Sequence, residues 1–324
     1  MNKTLILAFA LTILTTFSGQ HLLAQTKEDA STAFNAALEL SKTDMAGAVI
    51  KMQEVQKMCV TVGVEADSLK MKVAKVLPVF QFNAGNDLIK NKNYDQAAIA
   101  YEKSLAFAKL YSDERYKEKS ESQLVILYTT KANALLKAEK ADSAILFADK
   151  ALAFDPAYTK ALFTKGKAFQ KKGDNVEMTE NMDLVIASAS KTNDTVTIKA
   201  AKNTIGSSLY QEGKTAFTKK SYTEAVSKMN SALTYDYKNK ELYYYLAFSN
   251  NAIKKYDESI EAANTGLAME EQTNDKMARF YYELAKAYEG KKDTANACTN
   301  YKKSAFGTYV QSANFQMKTV LKCQ

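Results

Sequence analysis

The sequence has one histidine among its 324 residues, His21. This residue lies in an amino-terminal segment that we expect to be removed, so the mature chain would contain no histidine. Imidazole is the usual general base near neutral pH and the commonest metal ligand. Its absence excludes histidine-based serine or cysteine triads and histidine-bearing zinc sites. We therefore expect no catalytic residue, no metal site, no cofactor and no enzymatic activity, although paired carboxylates could still perform acid–base chemistry.

Tryptophan is absent, and arginine occurs only as Arg115 and Arg279. The formal net charge of +8 therefore comes almost entirely from lysine. Lysine lacks the planar fork with which arginine binds phosphates and base edges in two places at once. We expect no nucleic-acid partner and interpret the lysines chiefly as a solvated surface.

The chain has three cysteines, Cys59, Cys298 and Cys323. Three thiols are too few for an all-cysteine zinc site. Cys298 and Cys323 fall on the last two predicted helices, where a disulfide would restrict fraying of the carboxyl terminus. Three unpaired thiols are an equally good interpretation, because sequence does not give the Cα separation that a disulfide needs.

The first 25 residues have the organisation of a secretory signal peptide. Lys3 precedes an apolar run that extends from Leu5 to Phe17, and small and polar residues follow it as far as Gln25. The run is shorter than the roughly 20 apolar residues that cross a bilayer, which argues against a membrane anchor. We expect cleavage near Ala24 or Gln25 and an exported protein, periplasmic or secreted, with association with the outer membrane left open.

Proline and glycine are scarce, with two and 11 residues respectively. Apolar residues recur at spacings of three and four over most of the chain, which is typical of amphipathic helices. Short clusters rich in glycine and lysine interrupt this pattern, as at 171–175 and 290–293. The sequence therefore predicts an all-α protein built from helices joined by tight turns.

A loose repeat of about 34 residues organises these helices. Each copy has a small residue followed by alanine twelve positions later, as in the pairs Gly85 and Ala97, Ala132 and Ala144, and Gly213 and Ala225. A unit of this length cannot bury its own apolar face, so consecutive copies must stack. We predict an α-solenoid of antiparallel helix hairpins.

The repeat resembles the tetratricopeptide repeat family, which favours small residues at positions 8, 20 and 27 and large residues between them. Six units begin at residues 78, 125, 159, 206, 240 and 278, within the range 78–308. Extra residues separate some units, at 112–124, at 193–205 and at 274–277. Residues 26–77 are predicted to form amino-terminal helices with a degenerate repeat, and residues 309–324 a capping helix and tail.

The resemblance implies that the first helix of each unit lines a concave groove. Carried over position by position, it predicts an aromatic row flanked by lysines and asparagines. The predicted groove residues are Phe82, Asn86, Asn133, Phe163, Lys167, Tyr210, Lys214, Tyr244, Phe248, Tyr282 and Lys286. The alternative is that the aromatic side chains pack against neighbouring hairpins and that the lysines are only solvated.

The expected function is that of a non-catalytic scaffold or adaptor that binds a protein or peptide in this groove. Lysines would favour an acidic segment or a free carboxyl terminus, and asparagine amides could hydrogen-bond a ligand backbone. Recognition of glycan or cell wall is the alternative, since aromatic faces also stack on sugar rings. The sequence does not determine the oligomeric state.

Overall fold

A computed structural model describes residues 26–270 and 274–323. The predicted signal segment, residues 1–25, lies outside the described residues. Within the described ranges every regular element is helical, and no helix is long and apolar enough to span a bilayer. The helices are α1 (Lys27–Leu40), α2 (Met45–Val62), α3 (Asp67–Lys90), α4 (Tyr94–Leu110), α5 (Glu114–Lys137), α6 (Ala141–Leu152), α7 (Thr159–Lys172), α8 (Asn175–Lys191), α9 (Thr195–Thr218), α10 (Tyr222–Thr234), α11 (Lys240–Ala252), α12 (Tyr256–Ala268), α13 (Asn274–Gly290), α14 (Thr294–Ser304) and α15 (Val310–Phe315).

Polar side chains begin many of these helices. Asp174, Asp194 and Asp293 accept hydrogen bonds from backbone amides in the first turns of α8, α9 and α14. Such caps satisfy amides that have no partner within the helix. The turns between the two helices of a hairpin share another feature, a residue with positive φ. These residues are Lys92, Glu139, Gly173, Lys220, Lys254 and Lys292.

The described residues form two compact units, which divide between Leu127 and Tyr128 within α5. In the first unit, α1 to α4 pack around a core that includes Met52, Leu77 and Phe80. In the second unit, one apolar cluster is formed by α7, α8 and α9, and another is formed by helices α9 to α13. Each cluster bridges adjacent hairpins, as expected for stacked repeats.

Glycine at the predicted small position brings the two helices of a hairpin close together. A Cβ added to Gly85 would lie 2.6 Å from the Tyr101 ring, and one on Gly213 would lie 2.8 Å from Met229. Gly166 has the same relation to Met182 at 2.9 Å. In all three hairpins the large residue is sixteen positions after the glycine, so the repeat phase sets the helix packing. The structure confirms the predicted all-α solenoid of helix hairpins.

The inserted residues lengthen first helices. Helices α5 and α9 have 24 residues each, and 112–124 and 193–205 lie at or just before their amino-terminal ends. Helix α3 also has 24 residues and begins well before residue 78. By contrast, α7 and α11 have 14 and 13 residues.

The carboxyl-terminal segment folds back on the last hairpin. Gly307–Tyr309 forms a 3₁₀ turn, α15 follows, and a π-helical turn at Gln316–Val320 precedes Cys323. Cys323 forms a disulfide with Cys298 of α14, with Cα atoms 5.7 Å apart. Cys59 is a free, buried thiol in the first unit. The segment is thus attached at both of its ends.

Candidate functional site

The predicted groove residues all lie on the first helices of their hairpins. Within the second unit, α9 contacts α11 and α11 contacts α13, so consecutive first helices form a common face. The structure shows that this face is not uniform. Some of the predicted side chains are exposed in a cleft, whereas others are covered by neighbouring residues.

In the first unit, Phe82 and Asn86 are engaged by other side chains. The Phe82 ring lies 5.2 Å from the Tyr101 ring and 5.6 Å from the Tyr116 ring. Asn86 Oδ1 accepts a 2.7 Å hydrogen bond from the Tyr101 hydroxyl. Lys119 lies over the Phe82 ring at 5.8 Å. These two residues therefore stabilise the hairpin and its neighbour.

The second unit contains an open cleft of about 570 Å³ between α5, α7 and α9. The cleft is lined by Asn133, Asp155, Ala157, Tyr158, Thr159, Lys160, Phe163, Thr164, Asp194, Val196, Thr197 and Ala200. Two predicted groove residues, Asn133 and Phe163, are among them. The opposite wall comes from the inserted segment that extends α9, so the insertion creates the cleft.

Hydrogen bonds fix the polar groups of this cleft. Thr164 donates to Asn133 Oδ1 at 2.8 Å, which leaves the Asn133 amide nitrogen able to donate to a ligand. Asp194 accepts from the side chain and backbone of Thr197, and these bonds lower the pKa of its carboxyl group. Asp155 accepts from the Ala157 amide at 3.0 Å. Both carboxylates are consequently held in place by hydrogen bonds from neighbouring residues.

Apolar surface in the cleft is also exposed. Val196 on the extension of α9 is 78 % exposed, and the Phe163 ring on α7 is only half-buried. Phe163 packs at the edge of the cluster formed by α7, α8 and α9. An exposed valine beside an aromatic ring, with fixed polar groups around them, is an arrangement typical of ligand clefts.

The other predicted aromatic residues of the second unit are covered. Tyr210 is 8 % exposed and packs beside Tyr237 and Tyr245, and burial raises its pKa to about 12. Phe248 lies against Phe217 and Tyr222. Thr129, which occupies the same position in the repeat beginning at residue 125 as Phe163 does in the next repeat, is buried as well.

Tyr244 and Tyr282 are covered by the carboxyl-terminal segment. The Tyr309 ring centre lies 5.0 Å from that of Tyr282, and its hydroxyl lies 3.4 Å from the Tyr244 hydroxyl. Burial is the main cause of a raised pKa for both Tyr244 and Tyr282. Tyr309 therefore occupies the position that a ligand of these two rings would take.

The predicted lysines differ in their surroundings. Lys167 is half-buried and donates to Gln170 at 2.9 Å, and burial lowers its pKa. Lys286 pairs with Glu283 at 3.3 Å and lies over the Phe248 ring. Lys214 is exposed. None of the three lines the open cleft, whose charged groups are Asp155, Asp194 and Lys160.

Sequence reasoning missed a buried carboxylate beside the covered tyrosines. Glu283 is 1 % exposed, and its side chain accepts a 2.7 Å hydrogen bond from Asn251. Burial raises the pKa of this carboxyl group, against the opposing influence of Lys286. The signal available in the sequence was that Glu283 is a charged residue on the apolar side of its helix. Val196 and Tyr309 were missed because the repeat positions do not include inserted or terminal residues.

Comparisons with known proteins return only distant similarity. No model of a known protein family matches the sequence, and no curated protein is similar to it. Several solved structures that resemble it are described as tetratricopeptide repeat proteins or domains. YrrB, described as a TPR protein with an unusual peptide-binding site, is 15 % identical, with 64 % of this chain and 97 % of that chain covered and a TM-score of 0.37.

Two further structures cover more of the chain. A tetratricopeptide repeat protein from Parabacteroides merdae is 12 % identical, with 92 % and 100 % of the two chains covered and a TM-score of 0.29. The TPR2AB domain of yeast Sti1, in complex with pHSP90, is 18 % identical, with 75 % and 96 % covered and a TM-score of 0.30. At these TM-scores the matches add nothing to the geometry of the cleft.

Proposed function

We propose that this protein is an exported, non-catalytic scaffold that binds an extended segment of a partner protein in the cleft between α5, α7 and α9. The observation that carries the proposal is the cleft itself, about 570 Å³ in volume, in which Phe163 and Val196 lie beside fixed polar groups. This volume is within the range of ordinary ligand sites and accommodates one or two large side chains of a peptide.

The charges of the cleft indicate which segment would fit. Asp155 and Asp194 contribute two negative charges and Lys160 one positive charge. A segment with an apolar side chain followed by a basic residue would place the apolar group on Phe163 and the cation near the carboxylates. Asn133 can donate a hydrogen bond to the backbone of the same segment. We therefore favour this segment over the acidic one expected from the lysine row.

The proposal is tested by panning a random peptide library against residues 26–324. Enriched peptides are then measured for affinity against the parent and the Phe163→Ala variant by fluorescence polarisation. We expect the variant to bind about tenfold more weakly, because an aromatic anchor in a cleft contributes about 1–2 kcal/mol. The matched control is Leu184→Ala, an apolar residue 53 % exposed on α8 outside the cleft.

Three results would oppose the proposal. If Leu184→Ala weakens peptide binding equally, the effect is a nonspecific apolar one. If Phe163→Ala binds the peptides as tightly as the parent, the binding site lies outside the cleft. Enrichment of no peptide, together with retention of the protein on a glycan array, would favour sugar recognition. The exported location is tested separately by amino-terminal sequencing of the protein purified from its host, with a start near residue 25 expected.

A further inference from the structure

The carboxyl-terminal segment 306–312 lies across the first helices of the last two hairpins. Its 3₁₀ turn contacts α13, and Tyr309 reaches both Tyr282 of α13 and Tyr244 of α11. Those two tyrosines occupy the same repeat position as Phe163, the aromatic residue of the open cleft. The face that is open at α7 is thus filled at α11 and α13 by a residue from the end of the chain.

Specific side-chain contacts hold Tyr309 in this place. Its ring is tilted by 43° against the Tyr282 ring at 5.0 Å, and its hydroxyl faces the hydroxyl of Tyr244. Ser312, one turn later, hydrogen-bonds the Tyr282 side chain. Arg279 lies over the Tyr244 ring at 5.3 Å and forms ion pairs with the carboxylates of Glu241 and Glu270. We call the place that Tyr309 occupies the slot: the Tyr282 ring borders it, and the Tyr244 hydroxyl faces the Tyr309 hydroxyl.

Within the segment 306–312, every residue except Tyr309 is exposed. Gly307 and Thr308 are exposed, and helix α15 has six residues of which only Ala313 is buried. Phe315 is 57 % exposed. Gly307 has a φ of 53°, a conformation that glycine adopts at low cost, at the point where the chain turns after α14. Beyond the segment, the disulfide between Cys323 and Cys298 attaches the end of the chain to α14.

We propose that this slot is a second peptide-binding site, selective for a tyrosine-bearing segment of a partner protein, and that residues 306–312 occupy it when the partner is absent. Tyr309 indicates the chemistry of the ligand: an aromatic ring that packs against Tyr282 and a phenolic hydroxyl that faces the hydroxyl of Tyr244. Because the occupant is tethered, an external segment must displace it, which lowers the apparent affinity of the slot. The proposal concerns a different site from the open cleft and does not depend on it.

The test compares four forms of residues 26–324 as baits for a random peptide library displayed on phage. They are the parent, Tyr309→Ala, Tyr309→Phe, and Phe315→Ala as the matched control, an exposed ring on α15 just beyond the segment. We expect Tyr309→Ala to capture at least tenfold more tyrosine-containing clones than the parent or the control. Tyr309→Phe keeps the ring and removes the hydroxyl, so its capture should fall between those of the parent and Tyr309→Ala.

Two further variants locate the captured clones. Adding Tyr282→Ala to Tyr309→Ala should abolish the gain, because it removes a wall of the slot. Replacing both Cys298 and Cys323 by Ser, with Tyr309 retained, should raise capture to an intermediate level, since it frees the far end of the segment. Helix content measured by circular dichroism shows whether each bait is folded.

The proposal is overturned if Tyr309→Ala captures no more tyrosine-containing clones than Phe315→Ala, since the segment would then act only as a cap. It is also overturned if the clones survive Tyr282→Ala. Clones that depend on Phe163 and are unaffected by Tyr309→Ala report on the open cleft instead. The two sites can therefore fail or succeed independently in the same experiment.

Discussion

Two regions of the second unit have the same repeat position and opposite accessibility. At α7, Phe163 faces an open cleft, and at α11 and α13, Tyr244 and Tyr282 are covered by Tyr309. The difference arises from neighbouring non-repeat sequence. An insertion extends α9 and builds a wall beside Phe163, whereas the carboxyl-terminal segment folds over the two tyrosines. Repeat position therefore places a side chain on the face, and sequence outside the repeat decides whether it is free.

The largest expected effect is a difference in stability loss between a core aromatic residue of the covered region and a partly exposed one of the open region. Phe280, beside Tyr244, is 0 % exposed, so Phe280→Ala should lower the free energy of unfolding by about 3–5 kcal/mol. Phe163→Ala should cost only about 1 kcal/mol, because part of its ring is already in water. Urea denaturation followed by circular dichroism measures both, and similar losses for the two variants would contradict the comparison.

A smaller effect is expected from the disulfide that holds the covering segment. The Cys298→Ser, Cys323→Ser double variant should lose about 3 kcal/mol of local stability, the typical contribution for a closed loop of this size. Hydrogen exchange should therefore quicken in α14 and α15 and remain unchanged in α7. Loss of protection over α7 as well would mean that the two regions unfold together, which would remove the contrast between them.

The repeat phase predicted the fold well because it reflects helix packing directly. Gly85, Gly166 and Gly213 could be recognised because each must approach a large residue on its partner helix. The same periodicity could not predict the cleft. Val196 belongs to an insertion, Tyr309 to a terminal segment, and their positions depend on contacts between residues far apart in sequence.

The predicted groove residues also show what the repeat phase cannot predict, namely which side chains are exposed. The repeat phase predicted that Asn133 and Phe163 share a face, and both residues line the same cleft. Tyr210 occupies the equivalent position and is buried, because Tyr237 and Tyr245 pack against its ring. An aromatic residue has the same pattern in sequence whether it binds a ligand or a neighbouring hairpin. Only the surrounding side chains distinguish the two roles.

The smallest expected effect is a pH dependence that belongs to the covered region alone. Burial raises the folded-state pKa of Glu283 above its ordinary value, while Lys286 on the same helix and Asn251 on α11 oppose the shift. At pH values above the ordinary pKa, the unfolded chain releases this proton more readily than the folded chain. The contribution of Glu283 to stability is therefore fully present at lower pH and is lost as pH rises through the folded-state pKa.

Glu283→Gln removes this titration and keeps an oxygen that can accept from Asn251. Measured between pH 4 and pH 8, the melting temperature of the variant relative to the parent should rise with pH, because only the parent bears the cost of a buried charge at the upper end. The matched control is Glu258→Gln on α12, where the carboxylate is exposed. A relative melting temperature that falls with pH for Glu283→Gln would show that Lys286 outweighs burial, and the covered region would then hold a stabilising ion pair.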